Sequence, residues 1–155
     1  MTTSWDVRLE DMRVGYGSTV VLSGINARFP AGKISVILGG SGCGKSTLLR
    51  HIAGLSRPMA GKTLIGGQDL FALPSKEFRR LRRRMGMLFQ DGALLGALTL
   101  AQNVALPLVE HTSLSPKVID AAALRCLTLV GLRDFGDYFP AQLSGGMRKR
   151  AGLAR

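Results

Sequence analysis

The sequence predicts an α/β fold built around an anion cradle, on three observations: a glycine-rich run that closes on Gly-Lys-Ser, a β-branched run before it and an amphipathic run after it. Gly39-Gly40-Ser41-Gly42-Cys43-Gly44-Lys45-Ser46-Thr47 satisfies G-x-x-x-x-G-K-[ST]. Upstream, Ile34-Ser35-Val36-Ile37-Leu38 has the composition of a strand buried on both faces. Downstream, Leu48, Leu49, Ile52 and Ala53 repeat at helical spacing, with Arg50 and His51 expected on the other side. Glycines suit such a loop because backbone N–H groups that turn inward to form an anion nest need φ values a Cβ disfavours. Lys45 then brings a point charge to the β- and γ-phosphates of a nucleotide, Ser46 a hydroxyl to Mg²⁺, and the helix its positive end. The competing explanation is a glycine-rich turn that matches by accident, which the strand-loop-helix context disfavours.

A chain of 155 residues fits one domain with a sizeable core. No apolar run approaches the roughly 18 residues of a membrane span. Met1-Thr2-Thr3-Ser4-Trp5 lacks a charged-then-apolar signal, so a cytosolic location is expected. Cys43 and Cys126 match no metal or redox spacing and are expected as free thiols, Cys43 a reactive one that bound ATP shields. Lys and Arg total 21 against 10 Asp and Glu, a net charge of +11. That excess suits an anionic partner such as nucleic acid or a membrane surface, or simply reflects basic phosphate-handling segments, the better supported explanation.

Taken in order, residues 7–14 alternate apolar and polar as a half-exposed antiparallel strand does, 15–18 read as a turn, and 19–29 resume strand character before a second turn at 30–33. Tyr16 is the aromatic of the first turn, a residue for stacking on a flat base or for partly buried packing. Residues 61–67 read as a short strand and turn. Pro74-Ser75 opens a helix that Ser75 can cap, with Phe78, Leu81 and Met85 on one side and Arg79, Arg80, Arg82, Arg83 and Arg84 spread around the rest. Met85–Gln90 is a second buried-strand candidate, ending on an amide. Residues 94–139 turn helical, one helix starting at Ser115-Pro116 with Val118, Ile119, Ala122 and Leu129 apolar and ending near Gly131. Ser144-Gly145-Gly146 then places a hydroxyl and free amides at a helix start, a second anion site.

A cradle at 39–46, a run ending in Gln90, a helical insert and Leu-Ser-Gly-Gly at 143–146 together resemble the nucleotide-binding domain of ATP-binding-cassette (ABC) transporters over essentially the whole chain. The resemblance implies a P-loop NTPase core at 34–93, an antiparallel β subdomain at 5–33, a helical subdomain at 94–142 and the signature with the start of its helix at 143–155. It implies that Tyr16 stacks on adenine and that Gly39 to Thr47 form the Walker A loop, with Lys45 catalytic. Gln90 becomes the Q-loop glutamine that contacts Mg²⁺, shared with Ser46, and senses the membrane partner. Ser144, Gly145 and Gly146 touch the ATP of a second subunit in a homodimer. More narrowly, Met-Leu-Phe-Gln-Asp-Gly-Ala-Leu at 87–94, Pro-Leu-Val-Glu-His-Thr at 107–112 and a signature ending in Met147 look like the ATPases of the maintenance-of-lipid-asymmetry type. These imply phospholipid transport, an integral membrane permease, lipid-binding MCE-type partners and a peripheral place on the cytoplasmic face of the inner membrane.

Hydrolysis in that family also needs an apolar strand ending in Asp-Glu and a switch histidine. Asp91, Glu110, His51 and His111 do not match them, so the sequence reads as an N-terminal fragment truncated before the Walker B strand and inactive alone. Two alternatives stay open: a soluble ABC-type ATPase acting on nucleic acid or ribosomes, and a nucleotide-binding module that does not hydrolyse.

Overall fold

The computed structural model describes residues 5–155; residues 1–4, part of the run inspected for a secretory signal, lie outside the described residues. The chain divides into two compact units, the first ending at Gly86 and the second spanning Met87–Arg155. No helix among the described residues is long and apolar enough to cross a membrane.

In the first unit, β1 (Val7–Tyr16), β2 (Thr19–Phe29), β3 (Ala60–Ile65) and β4 (Gln68–Asp69) form one antiparallel sheet in the order β2-β1-β3-β4. The strands run further into the first expected turn than the composition suggests: Gly15 pairs with Val20 and Tyr16 with Thr19, leaving only Gly17 and Ser18 to reverse the chain. Apolar residues of β1 sit inward at 9, 12 and 14, a pattern that slips by one position. The slip is a bulge at Asp11, whose φ is 45° and whose N–H donates to Asn26 Oδ1 at 2.9 Å, while Asn26 Nδ2 donates back to Asp11 Oδ1 at 2.8 Å. On the other side of β1, a Cβ at Gly61 would lie 2.4 Å from the Glu10 and Asp11 carbonyl oxygens, so only glycine lets β3 approach the bulge.

Leu9, Met12 and Val14 bury together with Leu48 of α1 (Lys45–Ile52), which packs the cradle helix onto the sheet. Each such side chain contributes roughly 1.5–3 kcal/mol by leaving water. Ile65, Leu70 and Leu81 form a second cluster under α2 (Ser75–Arg82), with Phe78 and Met85 against it.

The structure corrects the sequence reading of this unit at four points. Residues 34–38 form no strand: Ile34, Val36 and Leu38 are 97%, 72% and 86% exposed, and only Ile37 packs on the β1 cluster. An apolar run becomes a strand only beside another that completes its ladder, and no described strand pairs with it. The 85–90 run is irregular for the same reason, with Met85 packed under α2 and Leu88 exposed. On α1 it is Leu48 and His51 that are buried and Leu49 that is exposed, because His51 Nδ1 bonds the Thr47 carbonyl oxygen at 2.8 Å and so enters the interior half satisfied. Ser75 does not cap α2: the cap position is the extended Pro74, so the hydroxyl arrives one residue late.

The second unit packs α3 (Leu100–His111), α4 (Pro116–Leu129) and α5 (Gly145–Ala154) around Leu100, Val104, Ile119, Ala123, Leu127, Leu132, Leu143 and Ala151. Thr99 and Gln102 form a reciprocal capping box at the start of α3. Asn103 is buried and fully bonded; its Nδ2 donates at 3.0 Å to the carbonyls of Leu95, Leu98 and Thr99, and its Oδ1 accepts from Leu95 N–H at 2.8 Å. The buried face of α4 is Ile119, Ala123 and Leu127, whereas Val118 and Leu129 are exposed. The apolar residues of that helix exceed one face, and the partners available on α3 and α5 select which stripe is covered.

Candidate functional site

The cradle is built by backbone conformation first. Gly42 and Gly44 adopt φ of 79° and 95°, and Gly39 157°, so the loop coils and opens α1 at a left-handed Gly44. Two of its glycines form walls: a Cβ at Gly39 would lie 2.5 Å from Cys43 Sγ, and one at Gly44 would lie 2.9 Å from Val21 and 3.0 Å from Leu22. A Cβ at Gly40 or Gly42 would meet nothing within 4 Å. The loop is therefore pressed against β2 at one end and open along its middle.

Lys45 folds back over the loop. Its Nζ donates to Gly39 O at 2.8 Å and Gly40 O at 2.6 Å and lies 3.6 Å from Cys43 Sγ. Ser46 is exposed in the first turn of α1, where backbone amides lack intrahelical partners. Thr47 is buried and bonds the hydroxyl of Tyr16 at 3.0 Å through Oγ1, which fixes a half-exposed tyrosine ring (51% exposed) beside the helix start. Tyr16 and residues 39–47 thus come together in one place, on the hairpin end of β1 and the head of α1.

Gln90, Ser144, Gly145 and Gly146 belong to the second unit. Gln90 is exposed and opens the turn 90–93. Ser144 caps α5, its Oγ accepting from Met147 N–H at 3.3 Å, and Gly145 and Gly146 are exposed at the helix head. The turn and the helix touch without side chains between them: a Cβ at Gly152 would lie 2.6 Å from Gly92 Cα, and one at Gly92 would lie 2.5 Å from Arg148 O. Arg155 Nη1 donates to Ala93 O at 2.7 Å and Arg148 Nη1 to Leu143 O at 2.5 Å, tying the turn and the cap to the same helix. Among the described residues no group of three or more His, Cys, Asp or Glu is placed to hold a metal ion.

Sequence reasoning missed the Thr47 links to Tyr16 and His51 and the Gly92–Gly152 contact. A threonine four residues before a histidine on one helix was the available signal for the second link. No pattern in the chain announces the first or the third, which join residues 31 and 60 positions apart.

A coiled glycine loop at the head of a helix, bridged by its own lysine and edged by an antiparallel sheet, is the P-loop class of fold. Residues 22–155 match the ABC transporter family, and the chain belongs to it. It is 43% identical over 149 residues to the probable ribonucleotide transport ATP-binding protein mkl of Mycobacterium leprae, covering 96% of this chain and 43% of that protein. It is 42% identical over 149 residues to the intermembrane phospholipid transport system ATP-binding protein MlaF of Haemophilus influenzae, covering 96% of this chain and 56% of that one. Over 150 residues it is 46% identical to the methionine import ATP-binding protein MetN of Rhizobium johnstonii, covering 96% and 41%. In three dimensions it matches the ATP-binding cassette MJ0796, solved as a dimer in a post-hydrolysis state with ADP and Pi, at TM-score 0.86 and 32% identity, covering 96% of this chain and 67% of that one. The chain thus spans about half the length of the curated relatives it matches.

Proposed function

We propose that this chain is the nucleotide-binding part of an ABC transporter ATPase that holds ATP with Mg²⁺ and, in the whole protein, hydrolyses it to drive phospholipid transport across or between bacterial membranes. The observation that carries the nucleotide reading is the Lys45 ammonium held over the two loop carbonyls, 2.8 and 2.6 Å away, at the head of α1. A cation held there supports the reading in which Lys45 meets the β- and γ-phosphates beside the free amides of the loop. Ser46 would offer its hydroxyl to Mg²⁺, which when bound would neutralise charge on the phosphate oxygens, and Gln90 keeps the Q-loop role that the resemblance implies for it. Tyr16 presents its ring to the base, its hydroxyl anchored on Thr47. Ser144, Gly145 and Gly146 offer a hydroxyl and free amides to the ATP of a second copy, supported by the dimeric state of the similar MJ0796 cassette.

In this reading residues 5–33, 34–93, 94–142 and 143–155 are the antiparallel, core, helical and signature segments, and the strands beside 34–38 belong to the rest of the cassette. We assign the catalytic base to that remainder and propose a membrane permease and lipid-binding MCE-type proteins as partners on other chains, with the assembly peripheral on the cytoplasmic face of the inner membrane. Phospholipid as cargo is supported by the MlaF relative and by the motifs at 87–94, 107–112 and Met147; the mkl and MetN relatives carry other cargo in their names. In the full-length protein, Lys45→Ala is expected to abolish ATP turnover while leaving the thermal melt unchanged. Wild-type turnover in that variant would remove the proposal. For the complex with its permease, stimulation of turnover by phosphatidylglycerol vesicles, and not by methionine or ribonucleotides, is the outcome expected of a lipid transporter.

A further inference from the structure

We propose that the outer face of α2 is a docking surface for an anionic phospholipid bilayer. Successive residues of an α-helix turn by about 100°, which sets Lys76, Arg79, Arg80 and Arg83 within an arc of about 100°. All four are exposed, and their arc lies opposite the buried side, where Leu81, Phe78 and Met85 pack into the core. No ion pair or hydrogen bond with another described residue occupies the charged groups of Arg79, Arg80 and Arg83. The remaining arginines of the run are differently placed: Arg82 lies 5.7 Å over the Phe78 ring and Arg84 4.7 Å over the Trp5 ring. Trp5, itself 39% exposed, therefore sits at the edge of the basic face with an arginine across one side of its ring.

A short amphipathic helix with a continuous cationic face and an indole at its margin matches the charge and polarity profile of a headgroup layer. Nucleic acid is the poorer match, because an arginine already covers one face of each of the two aromatic rings here, which reduces the surface open to a stacked base.

The test is co-sedimentation of the full-length protein, without nucleotide, with vesicles of phosphatidylcholine alone or mixed equally with phosphatidylglycerol. Binding is expected only to the mixed vesicles and is expected to weaken as salt rises. Each basic residue at an anionic surface contributes about a fivefold factor, so the triple variant Arg79→Glu, Arg80→Glu, Arg83→Glu should lose about a hundredfold in partitioning or more, with ATP turnover retained. A control of equal charge change on the second unit, Lys117→Glu, Arg125→Glu, Arg133→Glu, should bind like wild type. Failure of the wild type to bind the mixed vesicles, an equal loss in both triple variants, or a variant that sediments normally would each overturn the proposal. So would tight binding to duplex RNA, lost in the α2 variant, with none to vesicles.

Discussion

Gly152→Ala is the sharpest probe of how the second unit is assembled. At an ordinary helix interior position this change is stabilising, since alanine is favoured over glycine by about 0.8–1.0 kcal/mol. At Gly152 the added methyl would lie 2.6 Å from Gly92 Cα, 2.8 Å from Gly92 O and 3.1 Å from Gly92 C. All three are backbone atoms, so no rotamer change relieves the contact. Nor can the turn retreat by rotating at Gly92, whose φ of 76° already serves the turn and whose own Cβ position is blocked by Arg148 O. Overpacking of this kind costs about 1–3 kcal/mol, and with the turn pinned by Arg155 on the Ala93 carbonyl the upper end applies. The helix-propensity gain offsets part of that, leaving a net loss of about 2 kcal/mol, or about 4–8 °C in Tm for a protein of this size class. A thermal melt of full-length wild type and variant measures it, with Gly146→Ala as the companion, because nothing lies within 4 Å of its added methyl. A Gly152→Ala protein that melts at or above wild type, alongside a Gly146→Ala protein that melts no lower than wild type, would refute the close backbone contact.

Three further outcomes follow from the first unit. Tyr16→Phe removes only the 3.0 Å bond to Thr47 and should change ATP affinity little, whereas Tyr16→Ala should weaken it by about 1–3 kcal/mol; equal titration curves for the two variants would contradict base stacking. Cys43 is exposed and its Sγ fills the wall beside Gly39, so a bulky maleimide should block ATP binding and ATP should slow the labelling; labelling rates indifferent to ATP would count against that placement. The 155-residue chain expressed alone should bind an apolar dye and self-associate through Ile34, Val36 and Leu38, and a monomeric, cooperative melt would contradict this.

Much of the fold was legible because local chemistry dictates it. The period-two pattern of β1, the Pro116 start of α4 and the glycine-serine head of α5 each need only near neighbours to be understood. The cradle was legible for the same reason, since its nest and its lysine lie within nine residues of chain. What failed depended on distant partners. Ile34–Leu38 carries strand composition, but composition supplies no neighbouring ladder. His51 reads as polar, but its ring finds the Thr47 carbonyl and turns inward. Val118 and Leu129 are as apolar as Ile119 and Leu127, and only the tertiary stacking of α3, α4 and α5 decides which pair sees water.

The meeting of Gly92 with Gly152 has a mechanical consequence. Side chains between two elements act as a soft layer, because rotamers can hop and absorb a small displacement. Here that layer is missing, and Arg155 at the far end of the helix holds the turn through the carbonyls of Gly92 and Ala93. A force applied at the turn that begins with Gln90 is passed to α5 as movement of the whole rod, so the residues at its capped head travel with the turn rather than lagging behind it.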